Sequence, residues 1–297
     1  MSDAQRRTTS RRELARHQRF EQISPEVGEL DEEAFDEAMA EDPDETLALL
    51  ADLTSATDPA LRALARRLAG RLMLDISRRG TARPKGIGRL ERQKYRPDRG
   101  DLDLEASLDA VSESRASGLP PDPDALFVRG WVKPKTALCL VVDRSGSMGG
   151  KPLATSAVAA AAVAWRAPDD YSVLAFGNDV VVAKGQDALK PSERVVNDVL
   201  ALRGFGTTDL AGALLAASVQ LSRTSAGRKV TVLLSDCRAT VDGDPVAAAS
   251  GLDELVVIAP AADDEEARQF AARTGARLVT IDGPSDIPDA LSAALGD

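Results

Sequence analysis

One stretch of sequence decides the fold of this chain: residues 137–147 read ALCLVVDRSGS. Its first six residues are apolar without a polar alternation, which predicts a strand buried on both faces, as in parallel sheets covered by helices. Asp143, Ser145 and Ser147 follow at alternating positions of one short loop. Their side chains can therefore converge, and Gly146 allows the loop to turn tightly.

From this stretch onward the sequence alternates between strand and helix patterns. The predicted strands are 137–142, 171–176, 180–183, 229–234, 255–258 and 277–281, and the predicted helices are 151–165, 192–202, 209–221, 263–274 and 285–295. Alternation of this kind predicts a doubly wound, mostly parallel, Rossmann-like α/β sheet over residues 136–297. The short join Gly177-Asn178-Asp179 is typical of a hairpin, which predicts one antiparallel strand.

The residues before this domain divide by charge and proline content. Residues 1–30 are polar and predicted to be a disordered tail. Residues 31–115 are predicted to be a charged helical region with a basic loop at 80–100. Ten acidic and no basic residues fall in 31–56, and Asp58-Pro59 begins a basic helix. Residues 116–135 read as a proline-rich linker. The charges can be solvated helix faces or a docking surface for another protein.

Composition excludes several classes of function. A net charge of −10 with 3% aromatic residues argues against a protein that binds nucleic acid. The one histidine, His17, lies in the polar N-terminal stretch and is expected to be solvated. A Ser-His-Asp hydrolase, a histidine zinc site or a histidine-ligated haem would need it in a folded core.

Cysteine usage and hydropathy indicate a cytoplasmic protein. Two cysteines, Cys139 and Cys237, cannot form a disulfide scaffold, and their predicted positions along the sheet are too far apart for one disulfide. The N-terminus has no apolar segment typical of a signal peptide. No apolar run approaches the ~20 residues of a membrane helix. We expect no membrane insertion.

Three segments bring polar residues to one edge of the predicted sheet, two of them after a strand and one at the start of a helix. Asp236 follows strand 229–234, and Thr208 opens a helix. With Asp143, Ser145 and Ser147 they offer oxygen ligands alone, which Mg²⁺ prefers, with Mn²⁺ or Ca²⁺ as alternatives. Two carboxylates and three neutral hydroxyls leave the ion short of negative charge. A carboxylate from another protein could replace one of its waters.

This pattern resembles the metal-ion-dependent adhesion site of von Willebrand factor A (VWA) domains. The matching motifs are Asp143-x-Ser145-x-Ser147, Thr208 in Gly-Thr-Thr-Asp-Leu and Asp236 in Leu-Leu-Ser-Asp. The resemblance covers roughly residues 135–297 and implies Mg²⁺ at the carboxyl edge of an open sheet. It implies direct ligation by Ser145, Ser147 and, in some states, Thr208, while Asp143 and Asp236 often act through water.

Two residues depart from the family pattern. Cys237 stands where many members have glycine, and Thr207 stands where many have glycine before the ligand threonine. Both substitutions could stiffen the edge of the sheet. Neither removes a metal ligand.

The layout, a charged helical region before a VWA domain, is similar to the CoxE-like bacterial partners of MoxR-type AAA+ ATPases. This resemblance implies an adaptor of such an ATPase in complex assembly or metal insertion, with a client protein that offers an Asp or Glu to the metal. A magnesium- or cobalt-chelatase-like subunit is an alternative, as is a structural VWA domain with an empty site. We expect no catalysis by the chain alone, because it has no histidine base for Ser145 or Ser147 and no complete phosphate-binding loop at Gly150-Lys151.

Overall fold

The computed structural model describes residues 8–78, 89–95, 101–132, 135–144, 149–204 and 206–296. They form two compact units. The larger consists of the described residues of 1–84 together with those of 136–297, and the smaller consists of those within 85–135. Within the described ranges, no helix has both the length and the apolar character needed to cross a membrane.

Twelve α-helices and nine strands lie within the described residues. The helices are α1 (Arg11–Leu14), α2 (Phe20–Ile23), α3 (Glu32–Glu41), α4 (Pro43–Leu53), α5 (Pro59–Ser77), α6 (Leu108–Ser117), α7 (Gly150–Arg166), α8 (Ser192–Leu200), α9 (Leu210–Leu221), α10 (Pro245–Ala249), α11 (Glu265–Thr274) and α12 (Ile287–Leu295). The strands are β1 (Arg89–Lys94), β2 (Asp101–Leu102), β3 (Phe127–Val132), β4 (Thr136–Asp143), β5 (Tyr171–Phe176), β6 (Val180–Lys184), β7 (Arg228–Leu234), β8 (Glu254–Pro260) and β9 (Arg277–Ile281).

The larger unit is built on a six-stranded sheet with the order β6-β5-β4-β7-β8-β9. All neighbouring pairs are parallel except β5 and β6, which are antiparallel. The prediction of a doubly wound, mostly parallel sheet with one antiparallel strand is therefore confirmed. β4, which ends at Asp143, and β7, which ends two residues before Asp236, are neighbours, so their carboxyl ends lie side by side.

Strand β4 is buried on both faces of the sheet. Ala137, Cys139 and Val141 belong to the core on one side, where α9, α10 and α11 lie. Their neighbours Leu138, Leu140 and Val142 belong to the core on the other side, where α7 lies. An unbroken apolar run is needed because neither face meets water.

Helix α7 is enclosed on all sides. Every residue from Leu153 to Ala164 is buried, whereas a helix at the surface of a protein keeps one polar face. The sheet covers one side of α7, and α4, α5 and α8 pack against it elsewhere. Arg78, which caps α5, also places its guanidinium 4.9 Å from the ring centre of Trp165 on α7. The N-terminal helices are therefore a layer of the same core.

The prediction of a disordered tail over residues 1–30 is wrong for residues 8–30. Ser10 and Glu13 form a reciprocal capping box that begins α1. Leu14, Phe20 and Ile23 are each no more than 2% exposed and join the core shared with α7. The sequence is polar on average, but three well-placed apolar side chains are enough to fix it against a preformed surface.

The predicted boundaries at 31–115 and 116–135 also differ from the structure. The helices up to residue 78 belong with the domain at 136–297 rather than with a separate charged region. The expected basic loop contains β1, and the expected linker contains β3, the central strand of a sheet with the order β1-β3-β2. In this small unit the carboxylate of Asp103 pairs with Arg92 and Arg129, 2.9 Å from each. Charge pairing and strand pairing thus order a segment whose composition is typical of a loop.

His17 is not the solvated side chain that its position predicts. Its Nδ1 lies 2.8 Å from Glu45 Oε1, and its Nε2 lies 3.0 Å from Asp52 Oδ2. Its side chain is 15% exposed. Both partners are carboxylate groups on α4, so both ring nitrogens donate when the imidazole is protonated. His17 therefore ties the α1–α2 segment to α4.

We expect this contact to stabilise the protein more at low than at high pH. The hydrogen bond to Asp52, helped by that to Glu45 against the opposing effect of burial, holds the pKa of His17 above its usual 6.5. Its contribution, about 1.5–3 kcal/mol for hydrogen bonds to charged groups, is complete below pH 6.5 and is lost as the pH rises through the raised pKa. Urea unfolding from pH 6 to 9 should show a larger loss of stability for the natural chain than for His17→Gln. Parallel curves for the two proteins would contradict the assignment.

Candidate metal centre

Asp143 is joined to the segment that carries Asp236 by one serine hydroxyl. Ser235 Oγ donates a 2.6 Å hydrogen bond to Asp143 Oδ2. Ser235 Oγ also accepts a 2.9 Å hydrogen bond from the backbone N–H of Cys237. This hydroxyl therefore fixes the end of β4 against the loop after β7, on both sides of Asp236. Ser235 was visible in the sequence as a residue after a strand, but its role as the link was not predicted.

The Asp236 carboxylate lies in a partly buried position near a second negative charge. Burial raises its pKa, and the charge of Asp143 raises it further, while the hydrogen bond from the Arg238 backbone N–H acts in the opposite direction. That bond is 3.0 Å long and ends on Oδ1. Two carboxylates in such proximity favour a cation between them.

Thr208 is held to the same loop through its backbone. Its N–H donates to Thr240 Oγ1 at 2.8 Å, and its carbonyl accepts from the N–H groups of Thr240 and Val241 at 3.1 and 3.3 Å. The residue is buried. Its hydroxyl makes no hydrogen bond to any residue that the structure describes. The backbone is thus fully committed while the side-chain oxygen stays available as a ligand.

The turn at residues 177–179 connects Asp143 and Thr208 from the other side. Arg144 is buried, pairs with the carboxylate of Asp179, and donates its backbone N–H to the Phe176 carbonyl at 2.8 Å. Asp209, next to Thr208, donates its N–H to the Gly177 carbonyl at 2.8 Å. One turn therefore holds the residues that directly follow Asp143 and Thr208.

The structure brings together the segments of three predicted ligands, Asp143, Thr208 and Asp236. Ser145 and Ser147 lie outside the described residues. In the part of the chain that is described, no group of three or more His, Cys, Asp or Glu side chains could hold a metal. The predicted donor set, hydroxyls together with two carboxylates, is of the kind that suits a hard cation.

Cys237 adopts a backbone conformation that favours glycine. Its φ is 65°, and it is the one non-glycine residue with positive φ in the described chain. This agrees with the glycine that many VWA domains carry there, and it stores strain beside Asp236. Cys139 and Cys237 are both buried and free, as predicted. Burial raises the pKa of each thiol to about 12, so neither is a ready nucleophile or ligand.

Asp52 is a supporting residue that the sequence did not reveal. Helix α7 follows the predicted metal loop, and its N-cap residue, Gly149, has no side chain to satisfy the first turn. Asp52 Oδ1, from α4, accepts the N–H of Gly150 at 2.8 Å instead, and its Oδ2 contacts His17. The two residues are 98 positions apart, so no local pattern could have identified the pair.

We expect Asp52→Ala to destabilise the protein by at least about 1–2 kcal/mol, the usual effect of losing a helix cap, because the variant also loses the contact with His17. Chemical denaturation would measure it, with the exposed Asp36→Ala on α3 as a control of equal charge. Because the cap lies next to the metal loop, the variant should also bind divalent metal more weakly. Equal stability of the two variants would show that Asp52 does not hold α7.

The comparisons with known proteins agree with this architecture. The family model for "VWA domain containing CoxE-like protein" matches residues 72–286. The chain therefore belongs to the CoxE-like family of proteins with a von Willebrand factor A domain. VWA domains are generally protein-interaction modules rather than catalysts. No curated protein matches the chain.

Several solved structures are similar at low identity. Proximal thread matrix protein 1 from the mussel byssus is 13% identical with a TM-score of 0.45, over 55% of this chain and 47% of that one. The chain thus spans less than half of the mussel protein. A von Willebrand factor type A protein from Catenulispora acidiphila is 15% identical with a TM-score of 0.41, over 55% and 42% of the two chains. Another structure of the mussel protein is described with zinc in its metal-ion-dependent adhesion site motif.

Proposed function

We propose that this VWA domain binds one divalent cation, Mg²⁺ in the cell, and uses it to hold a carboxylate of a partner protein. Asp143, Ser145, Ser147, Thr208 and Asp236 are the proposed ligands. The observation that carries the proposal is the hydrogen-bonded assembly of three distant segments, in which Ser235 Oγ links Asp143 to the Asp236 loop and Thr240 links that loop to Thr208.

The protein's side chains and backbone would orient the ligand oxygens and would not take part in a reaction. The cation, when bound, supplies a positive centre for an anionic oxygen. Ser235 fixes one oxygen of Asp143, and Arg238 N–H fixes one oxygen of Asp236. Mg²⁺ takes six oxygens and keeps several waters, so a carboxylate from outside can replace one water and improve the charge balance.

Binding without turnover fits the residues around the site. The chain has one histidine, and both of its ring nitrogens are engaged with Glu45 and Asp52. An imidazole that donates from both nitrogens to carboxylates has no free nitrogen to act as a base. We infer a non-catalytic role for the chain by itself.

The proposed partners are a MoxR-type AAA+ ATPase and a client protein that offers an Asp or Glu. Membership of the CoxE-like family and the layout of helices before a VWA domain support an adaptor of this kind. The two buried, free thiols support a reducing, cytoplasmic setting.

Capture of partners from cells with the full chain as bait tests the proposal. We expect an AAA+ protein among the captured proteins in Mg²⁺, and we expect its recovery to fall strongly in EDTA and with Asp143→Ala. Asp253→Ala, an exposed residue before β8, is the matched control and should capture normally. Recovery unaffected by both EDTA and Asp143→Ala would overturn the metal-bridged interaction.

A further inference from the structure

A cleft of about 380 Å³ opens directly beside the proposed metal centre. It lies between the first turns of α7 and the carboxyl ends of four strands. Asp143 and Asp236 line its near end, so the cleft and the metal centre are continuous. A volume of this size accommodates a few side chains of a bound segment.

Most of the remaining wall is apolar. Leu234 and Ile281 contribute largely buried side chains, and Pro152 and Pro260 contribute exposed rings at the rim. The cation in the cleft is Lys151, on the first turn of α7. Its side chain is exposed at the cleft. Asp282, after β9, brings a negative charge to the same cleft. The cleft therefore combines an apolar floor with one charge of each sign, next to a site for a carboxylate.

Helix α4 holds both walls of the cleft in place. Asp52 accepts the N–H of Gly150 at the start of α7. Asp44, on the same helix, accepts the N–H of Ser285 at 2.9 Å and lies against Gly283, where a methyl group would overlap its carboxylate. One rigid helix thus braces the α7 wall and the wall after β9. A preformed cleft costs little ordering on binding.

We propose that this cleft is a second subsite that takes an apolar side chain of the partner, a few residues from the carboxylate that binds the metal. The inference rests on the proposed function. It defines the partner's chemistry as an acidic residue with an apolar neighbour rather than any exposed carboxylate. The bound metal favours an acidic residue electrostatically, Lys151 and Asp282 on the cleft walls offset each other, and the apolar floor selects among acidic segments.

Two pools of heptapeptides with blocked ends and a central Asp provide the probe. The flanking positions are drawn from Leu, Ile, Val and Met in one pool and from Ser, Thr, Asn and Gln in the other. Equilibrium dialysis against the full chain in Mg²⁺, read by mass spectrometry, should retain the best apolar peptides about tenfold more strongly, the gain from burying one such side chain. EDTA should release both pools.

Pro260→Asp and Ala261→Asp form a matched pair of variants. Both add one negative charge at neighbouring exposed positions, but residue 260 lines the cleft and residue 261 does not. We expect Pro260→Asp to abolish the apolar preference while Ala261→Asp keeps it, with Mg²⁺ affinity alike in both.

The outcomes separate the two proposals. Mg²⁺-dependent binding of both pools with equal strength would overturn the subsite and leave the metal-bridged function standing. An apolar preference that survives in EDTA would overturn the two-part site, since the cleft would then act without the metal. Binding of neither pool in Mg²⁺ would count against the proposed function, and the subsite would fall with it.

Discussion

A chain cut down to residues 136–297 is expected to be insoluble or unfolded, although it contains the whole predicted VWA domain. Helix α7 would lose its cover, and its buried apolar run from Leu153 to Ala164 would face water. Seven large apolar side chains of α4 and α5 are buried in the full chain: Leu47, Leu49, Leu50, Leu53, Leu61, Met73 and Ile76. At about 1.5–3 kcal/mol each, they contribute about 10–20 kcal/mol in all, which is as large as the ~5–15 kcal/mol by which a typical domain is stable.

Co-expression of residues 1–84 with residues 136–297 as two chains is the control. Both pieces belong to one compact unit, so they should associate and restore soluble protein with a cooperative thermal transition. Expression yield and circular dichroism would measure the outcome. A cooperative, soluble 136–297 fragment with the stability of the full chain would show that the N-terminal helices are not part of the core.

Asp143→Asn is expected to abolish stabilisation by metal without destabilising the metal-free protein. The amide oxygen can still accept the hydrogen bond from Ser235, and removal of the charge relieves repulsion with Asp236, whose pKa the Asp143 charge raises. At a hundredfold excess of metal over Kd, binding stabilises the natural chain by about 2.7 kcal/mol. For a unit of this size, that raises Tm by about 5–10 °C.

Thermal unfolding with and without Mg²⁺ measures both effects. Asp253→Asn changes the charge equally at the opposite edge of the sheet and should keep the full metal response. If Asp143→Asn kept the shift in Tm, Asp143 would have no part in binding the metal. If it strongly destabilised the metal-free protein, the carboxylate would be structural.

The central fold was predictable because its signals are local. The unbroken apolar run of β4, the hairpin turn before β6 and the proline after Asp58 each act through neighbouring residues. The position of the candidate site was predictable from the same local patterns, because residues at the carboxyl ends of parallel strands share one edge of the sheet. Asp143 and Asp236 needed no knowledge of side-chain packing to be placed there.

The misassigned parts depend on contacts between distant segments. Leu14, Phe20 and Ile23 sit in a polar stretch, and they order it because α4 and α7 already offer an apolar surface. His17 looked solvated for the same reason, and its partners lie 28 and 35 residues away. Composition averages over such residues, so it predicted a tail where three apolar side chains and the two ion pairs of His17 specify structure.

Calorimetric titration of the metal-free full chain with Mg²⁺ and Mn²⁺ tests the account most directly. One saturable site is predicted for the natural chain, with the affinity lowered at least tenfold by Thr208→Val and by Ser147→Ala, since each removes one ligand oxygen and leaves the backbone in place. Thr240→Val, which removes a hydroxyl that only supports the loop, should have a smaller effect. Two results would contradict a metal centre at this edge of the sheet. One is no heat of binding for the natural chain, and the other is an affinity of the Thr208→Val and Ser147→Ala variants equal to that of the natural chain.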